Sequence, residues 1–329
     1  MEMTECHLYG NDDTPFLTYK IAIKILEPFK IHILGCGSAL PTLKHNASSQ
    51  LIEMRGKCFM VDCGEGAQMQ FRRSHIHFSK LNAIFITHMH GDHCFGLMGL
   101  LSTLGMLGRT SKLRVYAPKD YESLFKQQVE YFMQTMEYEM EMIPVDTEKQ
   151  QIIYEDHSLT VETVPLKHRL PCCGFIFREK PTLPHIRRDM IDYYGIPVSQ
   201  INNIKNGADW TNEEGEVIPN EKLVTPADQP RSYAYMSDTR YIPNLWEKVK
   251  GVTLLYHEST YTSDQEDRAK IYNHSTARQA AMVARDAGVG KLLLGHYSAR
   301  YNDEKVLLKE AKEVFEESYL SNEGMVISV

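Results

Sequence analysis

The chain has 329 residues, and its 43% hydrophobic content is ample for a buried core. Its 36 basic and 43 acidic residues give a formal net charge of -7, which excludes a generic attraction to nucleic acid and requires that any polyanion be captured by a local patch or by bound metal. An acidic start without signal-peptide features, no apolar run long enough to span a bilayer, and 7 scattered cysteines without a disulfide framework predict a cytoplasmic protein.

The first informative motif follows a predicted strand over residues 83–86. Directly after it the chain reads Thr87-His88-Met89-His90-Gly91-Asp92-His93. His88 and His90 are two residues apart, so they point to one side of an extended backbone and can hold one ion. Asp92 and His93 lie on the following turn and can serve a second ion. A lone histidine would be a surface residue, but four ligands at this spacing predict a metal site.

This HxHxDH run behind an apolar strand resembles the signature of the metallo-β-lactamase superfamily. That resemblance implies three further ligands, each at the end of a later strand. They are found after predicted strands over residues 159–164, 233–237 and 291–295, as His168, Asp238 and His296. Helices are predicted over residues 121–135, 277–287 and 303–319.

Within the superfamily the chain is similar to the ribonuclease Z family, which matures the 3′ ends of transfer RNA. The motifs that carry this likeness are His257-Glu258-Ser259-Thr260, His274-Ser275-Thr276-Ala277, His296-Tyr297-Ser298-Ala299-Arg300-Tyr301, and the early stretches 34–42 and 61–66. The resemblance implies an α/β fold, an αβ/βα four-layer sandwich over residues 30–329, preceded by an extension over residues 1–29. It also implies a homodimer.

The resemblance further implies which residues hold metal. His88, His90 and His168 would bind one ion, Asp92, His93 and His296 the other, and Asp238 would bridge both. Imidazole and carboxylate ligands suit two Zn²⁺ ions per subunit, and Mn²⁺ or Fe²⁺ would satisfy the same ligand types. Asp62 would orient a ligand histidine, and Cys94, next to His93, is interpreted as a small buried residue.

Hydrolysis of a phosphodiester also needs a proton for the leaving 3′ oxygen. His274 is the candidate donor, with Glu258 orienting it and holding its charged form. The alternative is that the His274 ring caps the following helix. Asp92 is a second catalytic candidate, because it could accept a proton from the attacking water.

Substrate contacts are predicted in three places. A basic and aromatic segment with Arg187 and Arg188 resembles the family's RNA-binding arm and would span residues 178–231, although its 209–221 stretch is acidic. Arg300 could contact a phosphate. The family's proline- and lysine-containing loop, which helps to distinguish precursor ends from CCA ends, is represented at residues 78–82 by Lys80 without the proline.

These residues predict a metal-dependent endonuclease acting on precursor transfer RNA. Two alternatives remain. One is another dinuclear hydrolase of the superfamily acting on a small phosphodiester, thioester or lactam. The other is a binding protein without turnover, which is disfavoured because every expected ligand is present.

Overall fold

A computed structural model describes residues 28–329. The extension expected over residues 1–29 therefore lies outside the described residues, apart from its last two positions. Within the described range, no helix is both long and apolar enough to cross a membrane.

The strands of the N-terminal half follow one another along the chain, and all but the last of them are largely buried. They are β1 (Phe29–Gly35), β2 (Ser49–Met54), β3 (Lys57–Cys63), β4 (Leu81–Phe85), β5 (Leu113–Pro118) and β6 (Met140–Val145). The later strands are β7 (Ile152–Glu155), β8 (Leu159–Pro165), β9 (Cys173–Glu179), β10 (His185–Ile186), β11 (Trp210–Thr211), β12 (Val217–Ile218), β13 (Val224–Thr225), β14 (Ser232–Met236), β15 (Leu254–Glu258), β16 (Lys291–Gly295), β17 (Ser318–Leu320) and β18 (Val326–Ser328).

Two seven-stranded sheets account for most of these strands. Their orders are β18-β1-β2-β3-β4-β5-β6 and β17-β16-β15-β14-β9-β8-β7. Each sheet is antiparallel on one side and parallel on the other: β3 to β6 pair in parallel in the first, and β14 to β17 do so in the second. In these two sheets, two pairs join strands that are not consecutive along the chain: β18, near the C-terminus, pairs with β1, and β14 pairs with β9.

The helices lie mainly outside the sheets. They are α1 (Ala67–Arg73), α2 (Gly91–Cys94), α3 (Leu97–Met106), α4 (Glu122–Phe132), α5 (Arg188–Tyr193), α6 (Val198–Lys205), α7 (Asn220–Leu223), α8 (Leu245–Lys248), α9 (Glu266–Tyr272), α10 (Ala277–Ala287) and α11 (Lys305–Lys312). Short 3₁₀ turns occur at Phe78–Lys80, Lys119–Tyr121 and Ser263–Gln265.

Aromatic side chains fill the space between the two sheets. The ring centroid of Phe85 lies 5.5 Å from the ring centroids of both Phe175 and Phe177. The ring centroid of Phe59 lies 5.9 Å from that of Phe177. Such rings bury large apolar areas, so they stabilise the face-to-face packing strongly. On the outer faces, α1, α3 and α4 cover the first sheet and α8, α10 and α11 cover the second. The predicted four-layer sandwich is confirmed.

Most predicted elements coincide with observed ones, and the last helix is the exception. Its prediction ran over residues 303–319, but α11 ends at Lys312. The reason is tertiary: from Ser318 the chain joins the second sheet as β17, in parallel with β16. A further helix, α3, occupies the glycine-containing stretch after the metal motif.

The segment between β9 and β14 forms a small unit with its own apolar cluster. Buried Ile196, Ile204, Ile218 and Leu223 pack together inside it. Its two ends lie side by side, because the N–H of Glu179 donates to the carbonyl of Arg231 at 3.0 Å.

Candidate metal centre

The predicted ligands meet at one edge of the sandwich, and each follows a strand. His88 to His93 come after β4, His168 after β8, Asp238 after β14 and His296 after β16. Side chains at strand ends are placed by rigid backbone, which suits a site that must hold its geometry.

Four ligand atoms form a first group around a common point. Nε2 of His88 and Nε2 of His168 lie 3.0 Å and 3.1 Å from Nδ1 of His90. Each of the same two nitrogens lies 3.7 Å from Oδ2 of Asp238. The group therefore offers three imidazole nitrogens and one carboxylate oxygen.

A second group of four atoms lies beside the first. Nε2 of His93 and Nε2 of His296 are each 3.4 Å from Oδ2 of Asp92. They are 3.4 Å and 3.2 Å from Oδ1 of Asp238. Asp238 thus contributes one oxygen to each group and connects them.

Both groups fit a metal ion. Atoms that surround zinc tetrahedrally at about 2.0–2.1 Å are about 3.3 Å apart, close to the separations observed here. Among residues 28–329, Nε2 of His93 and Oδ1 of Asp238 are buried side-chain atoms without a hydrogen-bond partner. Leaving such polar atoms unpaired is costly, and a cation between them would satisfy both.

The electrostatics of the two groups also favour a cation. Burial, together with the neighbouring imidazoles, holds the pKa of His88 well below its ordinary value, so its ring is neutral as a metal ligand must be. Burial also lowers the pKa of His90 and of His168. At His93 the carboxylates of Asp92, Asp238 and Asp62 outweigh burial and raise the pKa, which shows that this point attracts positive charge.

Neighbouring polar groups fix the orientation of the ligand rings. Nδ1 of His93 lies 2.7 Å from Oδ2 of Asp62, which also accepts a hydrogen bond from the Tyr235 hydroxyl at 3.1 Å. Nδ1 of His168 lies 2.9 Å from the carbonyl of Asn273, and Nδ1 of His296 lies 2.9 Å from Oγ1 of Thr260. These contacts leave the opposite ring nitrogen of each histidine for a metal.

His274 and Glu258 form a pair beside the two groups. Nδ1 of His274 lies 2.9 Å from Oε1 of Glu258 and 4.0 Å from Oδ2 of Asp238. Burial lowers the pKa of His274, but the Glu258 carboxylate outweighs it and raises the pKa to about 9. Glu258 is fully buried and is held by the backbone N–H of Thr239 at 3.0 Å and by the hydroxyl of Thr260 at 2.7 Å.

The two residues after His274 have structural tasks. The Thr276 side chain caps α10 and forms a capping box with Gln279. The Ser275 hydroxyl donates to the carbonyl of Thr239 at 2.7 Å. The alternative role for His274, capping α10, is therefore wrong, and its side chain instead lines the cavity at the metal centre.

That cavity has a volume of about 250 Å³ and is lined by three arginines and by five of the seven predicted metal ligands. Arg300, a predicted phosphate contact, lies with its guanidinium 5.2 Å from the centre of the Tyr261 ring. Arg169 and Arg268 were missed by the sequence reasoning. Arg169 directly follows the predicted ligand His168, and this position in the sequence could have identified it as a residue of the site. Nothing in the sequence distinguishes Arg268 from other arginines on the surface of helices.

The other predicted substrate residues lie away from the ligand groups. Lys80 is exposed at the start of β4, about 17 Å along the strand from the metal loop at its other end. Arg187 pairs with Asp189 at 2.7 Å, and Arg188 is exposed at the start of α5. Their contacts with a substrate stay predictions. A different loop lines the metal centre, and it includes Ser38 and Ala39.

No cysteine among residues 28–329 belongs to either group. The six in the described residues are buried and free. Burial raises the pKa of the Cys94 thiol to about 11, so this neighbour of His93 is a protonated core residue.

The sequence is similar to curated proteins named Ribonuclease Z. The one from Bacteroides fragilis (strain YCH46) is 53% identical over 304 residues, which cover 92% of this chain and 100% of the relative. The one from Porphyromonas gingivalis (strain ATCC BAA-308 / W83) is 46% identical over the same shares of both chains. A family model described as Anti-Pycsar protein Apyc1 matches residues 29–184.

Solved structures agree on the fold. The short form of human tRNase Z superposes with a TM-score of 0.65 at 24% identity, covering 91% of this chain and 99% of that one. The metallo-β-lactamase fold protein YhfI from Bacillus subtilis gives a TM-score of 0.65 at 19% identity, covering 92% and 100%. These likenesses confirm the predicted fold family.

Proposed function

The chain belongs to the ribonuclease Z family, and we propose that it is a zinc-dependent endonuclease that removes the 3′ trailer from precursor tRNA. The observation that carries the proposal is the position of Asp238. Its two oxygens serve two separate groups of ligand atoms, while His274 lies beside them.

Each group of residues would hold one ion. His88, His90 and His168 would hold the first, and Asp92, His93 and His296 the second, with Asp238 shared. Imidazole and carboxylate donors in a near-tetrahedral arrangement favour zinc. When bound, two such ions lower the pKa of water and offset negative charge on a phosphodiester.

The residues of the chain supply the remaining steps. Asp92, at the rim of the cavity, is placed to accept a proton from the attacking water. The bond between phosphorus and the 3′ oxygen breaks, and His274 donates a proton to that oxygen through Nε2, because its Nδ1 is held by Glu258. The products are a tRNA with a 3′ hydroxyl and a trailer with a 5′ phosphate.

Mapping of product ends would test the proposal directly. Purified protein with two equivalents of Zn²⁺ should cut a precursor tRNA at the start of its trailer. Hydrolysis of bis(p-nitrophenyl) phosphate without any cut in the precursor would contradict the proposal and would favour the small phosphodiester as substrate.

We also propose that the segment between β9 and β14 is the arm that binds the tRNA body. Its own apolar cluster makes it a unit that can project from the sandwich, and Arg188 is exposed on it. Since its ends are joined by a backbone hydrogen bond between Glu179 and Arg231, residues 181–229 can be replaced by a short glycine linker. The shortened protein should bind precursor tRNA more weakly and with a smaller dependence on salt. If the shortened protein binds precursor tRNA as tightly as the native protein does, this segment is not the arm that binds the tRNA body.

A homodimer follows as a further proposal from the surface of α3 and α4. These neighbouring helices expose large apolar side chains at their ends, namely Met106, Leu107, Tyr131 and Phe132. Large exposed apolar side chains on two neighbouring helices favour a protein contact, and a second copy of the chain is the partner expected in this family. Light scattering should give twice the chain mass, and replacing Tyr131 and Phe132 by Asp should give monomers.

We propose the cytoplasm as the compartment. The substrate is an RNA precursor, and six free buried cysteines suit a reducing environment. Fractionation of cells that express the tagged protein would test this.

A further inference from the structure

A second and larger cavity adjoins the metal centre. It has a volume of about 560 Å³ and is lined by residues of the loop from Ser38 to Ala47, by Phe95, and by the proposed ligands His90 and Asp92. Ser38, Ala39, His90, Asp92 and Arg169 line both this cavity and the smaller one, so the two are continuous across the metal centre. A volume of this size is typical of a site for a small organic group.

An aromatic ring is presented openly in this cavity. Phe95 is 75% exposed although it lies three residues after Asp92. The ring is nevertheless held in place, because it packs over Gly91, where an added Cβ would lie 2.3 Å from a ring atom. Its backbone N–H donates to the carbonyl of Gly91 at 2.9 Å. Phe95 is therefore a fixed apolar platform next to the metal ligands.

The charges of the larger cavity suit a base better than a phosphate. Besides the proposed ligand His90, two basic residues line it, and one of them, His45, is already paired with Glu304 and Glu323 at 3.1 Å and 2.9 Å. The other, Arg169, lies where the two cavities meet. Glu65 adds a negative charge to the lining. A neutral, flat group that stacks on Phe95 fits these surroundings, with its phosphate at the junction.

The position of the proton donor, His274, indicates which part of the RNA enters which cavity. His274 lines the smaller cavity and not the larger one. The leaving 3′ oxygen belongs to the last nucleotide of the mature tRNA, so that nucleotide lies on the His274 side. The phosphate remains with the trailer, whose first nucleotide leaves the phosphate in a different direction from the 3′ oxygen. The larger cavity, which adjoins the metal centre and is not lined by His274, offers the space for it.

We propose that the larger cavity binds the first nucleotide of the trailer, with its base stacked on Phe95. This inference rests on the proposed cleavage of precursor tRNA. Stacking on an aromatic ring is tolerant of base identity, so the site accepts any trailer sequence and contributes to the rate without reading it.

The test is a cycle of two changes, one in the protein and one in the RNA. Cleavage is compared for the native protein and Phe95→Ala, on a precursor with an ordinary first trailer nucleotide and on one with an abasic ribose there. Each single change should lower kcat/KM by about 5-fold to 150-fold, the range for stacking of one base. The double change should cause no further loss.

Variants at the same position separate stacking from a structural effect. Phe95→Tyr should retain cleavage and the sensitivity to the abasic site, whereas Phe95→Leu, which keeps bulk without a ring, should lose that sensitivity. Tyr319→Ala removes another exposed aromatic ring, on β17, and should retain the full effect of the abasic site. The proposed stacking on Phe95 would be overturned if the native protein cleaved both precursors equally. It would also be overturned if the losses caused by Phe95→Ala and by the abasic ribose multiplied in the double change. No cleavage of the ordinary precursor would instead contradict the proposed function itself.

Discussion

Oε1 of Glu258 lies 2.9 Å from Nδ1 of His274, deep in the protein beside the two groups of metal ligands. Glu258 is fully buried, so its charge acts on the imidazole with little screening by water. The carboxylate is itself fixed by Thr239 and Thr260. The pair therefore holds one ring nitrogen and leaves Nε2 as the nitrogen that can meet a substrate.

Replacing His274 by Ala should remove the proton donor and leave the metal ligands in place. General acid catalysis contributes about 10²- to 10⁴-fold, so kcat on precursor tRNA should fall by that factor. The loss on bis(p-nitrophenyl) phosphate should be smaller, because p-nitrophenolate leaves without a proton. Metal content, measured by elemental analysis, should stay at the native value. Native turnover of the precursor by this variant would remove the donor role.

Glu258→Gln should change the pH profile of cleavage. A proton donor works below its pKa, and its contribution is lost as the pH rises through that value. Because the Glu258 charge raises the pKa of His274, its removal should move the alkaline limb of kcat to lower pH. The profile is measured with precursor tRNA between pH 6 and 10 at constant ionic strength. If the alkaline limb of kcat lies at the same pH in Glu258→Gln as in the native protein, a group other than His274 titrates there.

Asp238→Ala should affect both metal positions at once. Asp238 Oδ2 serves the first group of ligand atoms and Oδ1 the second. Without this carboxylate each group keeps three protein ligands and the two ions lose their bridge, so binding of both should weaken. His296→Ala is the matched control, since it removes a ligand from the second group alone. Calorimetric titration with Zn²⁺ should show two weakened sites for Asp238→Ala and one for His296→Ala.

Asp62→Asn tests the support of a ligand. Asp62 accepts a hydrogen bond from Nδ1 of His93, and this contact fixes the ring with Nε2 towards the second group. Loss of such a contact costs about 10- to 100-fold in metal affinity or activity. We expect weaker Zn²⁺ binding at the second position and a matching rise in the Zn²⁺ concentration needed for half-maximal cleavage. If excess Zn²⁺ fails to restore the rate, Asp62 has a role beyond orienting His93.

The sequence predicted what depends on short-range spacing and on strand ends. His88 to His93 lie in one motif that the residue spacing alone identifies. The more distant His168, Asp238 and His296 were predicted from the resemblance to the metallo-β-lactamase superfamily, and in the structure each follows a strand. Residues whose role depends on the packing of distant segments could not be found this way. Arg268 reaches the metal centre only because α9 packs beside it, and His45 lies next to the C-terminal Glu323 only through the pairing of β1 with β18.

The cluster of His45 with Glu304 and Glu323 predicts that the stability of the fold depends on pH. His45 is 9% exposed, and its ring nitrogens lie 2.9 Å from Glu323 and 3.1 Å from Glu304. Burial lowers the pKa of His45, but the two carboxylates outweigh it and raise the pKa above 6.5. A group with a raised pKa stabilises the fold fully below its unfolded value, and this contribution is lost as the pH rises through the folded value.

The free energy of unfolding should therefore fall between pH 6 and pH 9, and His45 should be one cause. His45→Gln should be less stable than the native protein at pH 6 by about 1–2 kcal/mol, because Lys44 and the N–H of Asn46 still pair with Glu304 and Glu323. Its stability should change less over the same pH interval, because the titrating ring is gone. Urea unfolding at both pH values, with saturating Zn²⁺, measures the difference. If the free energy of unfolding changes by the same amount with pH in both proteins, His45 does not titrate in this interval.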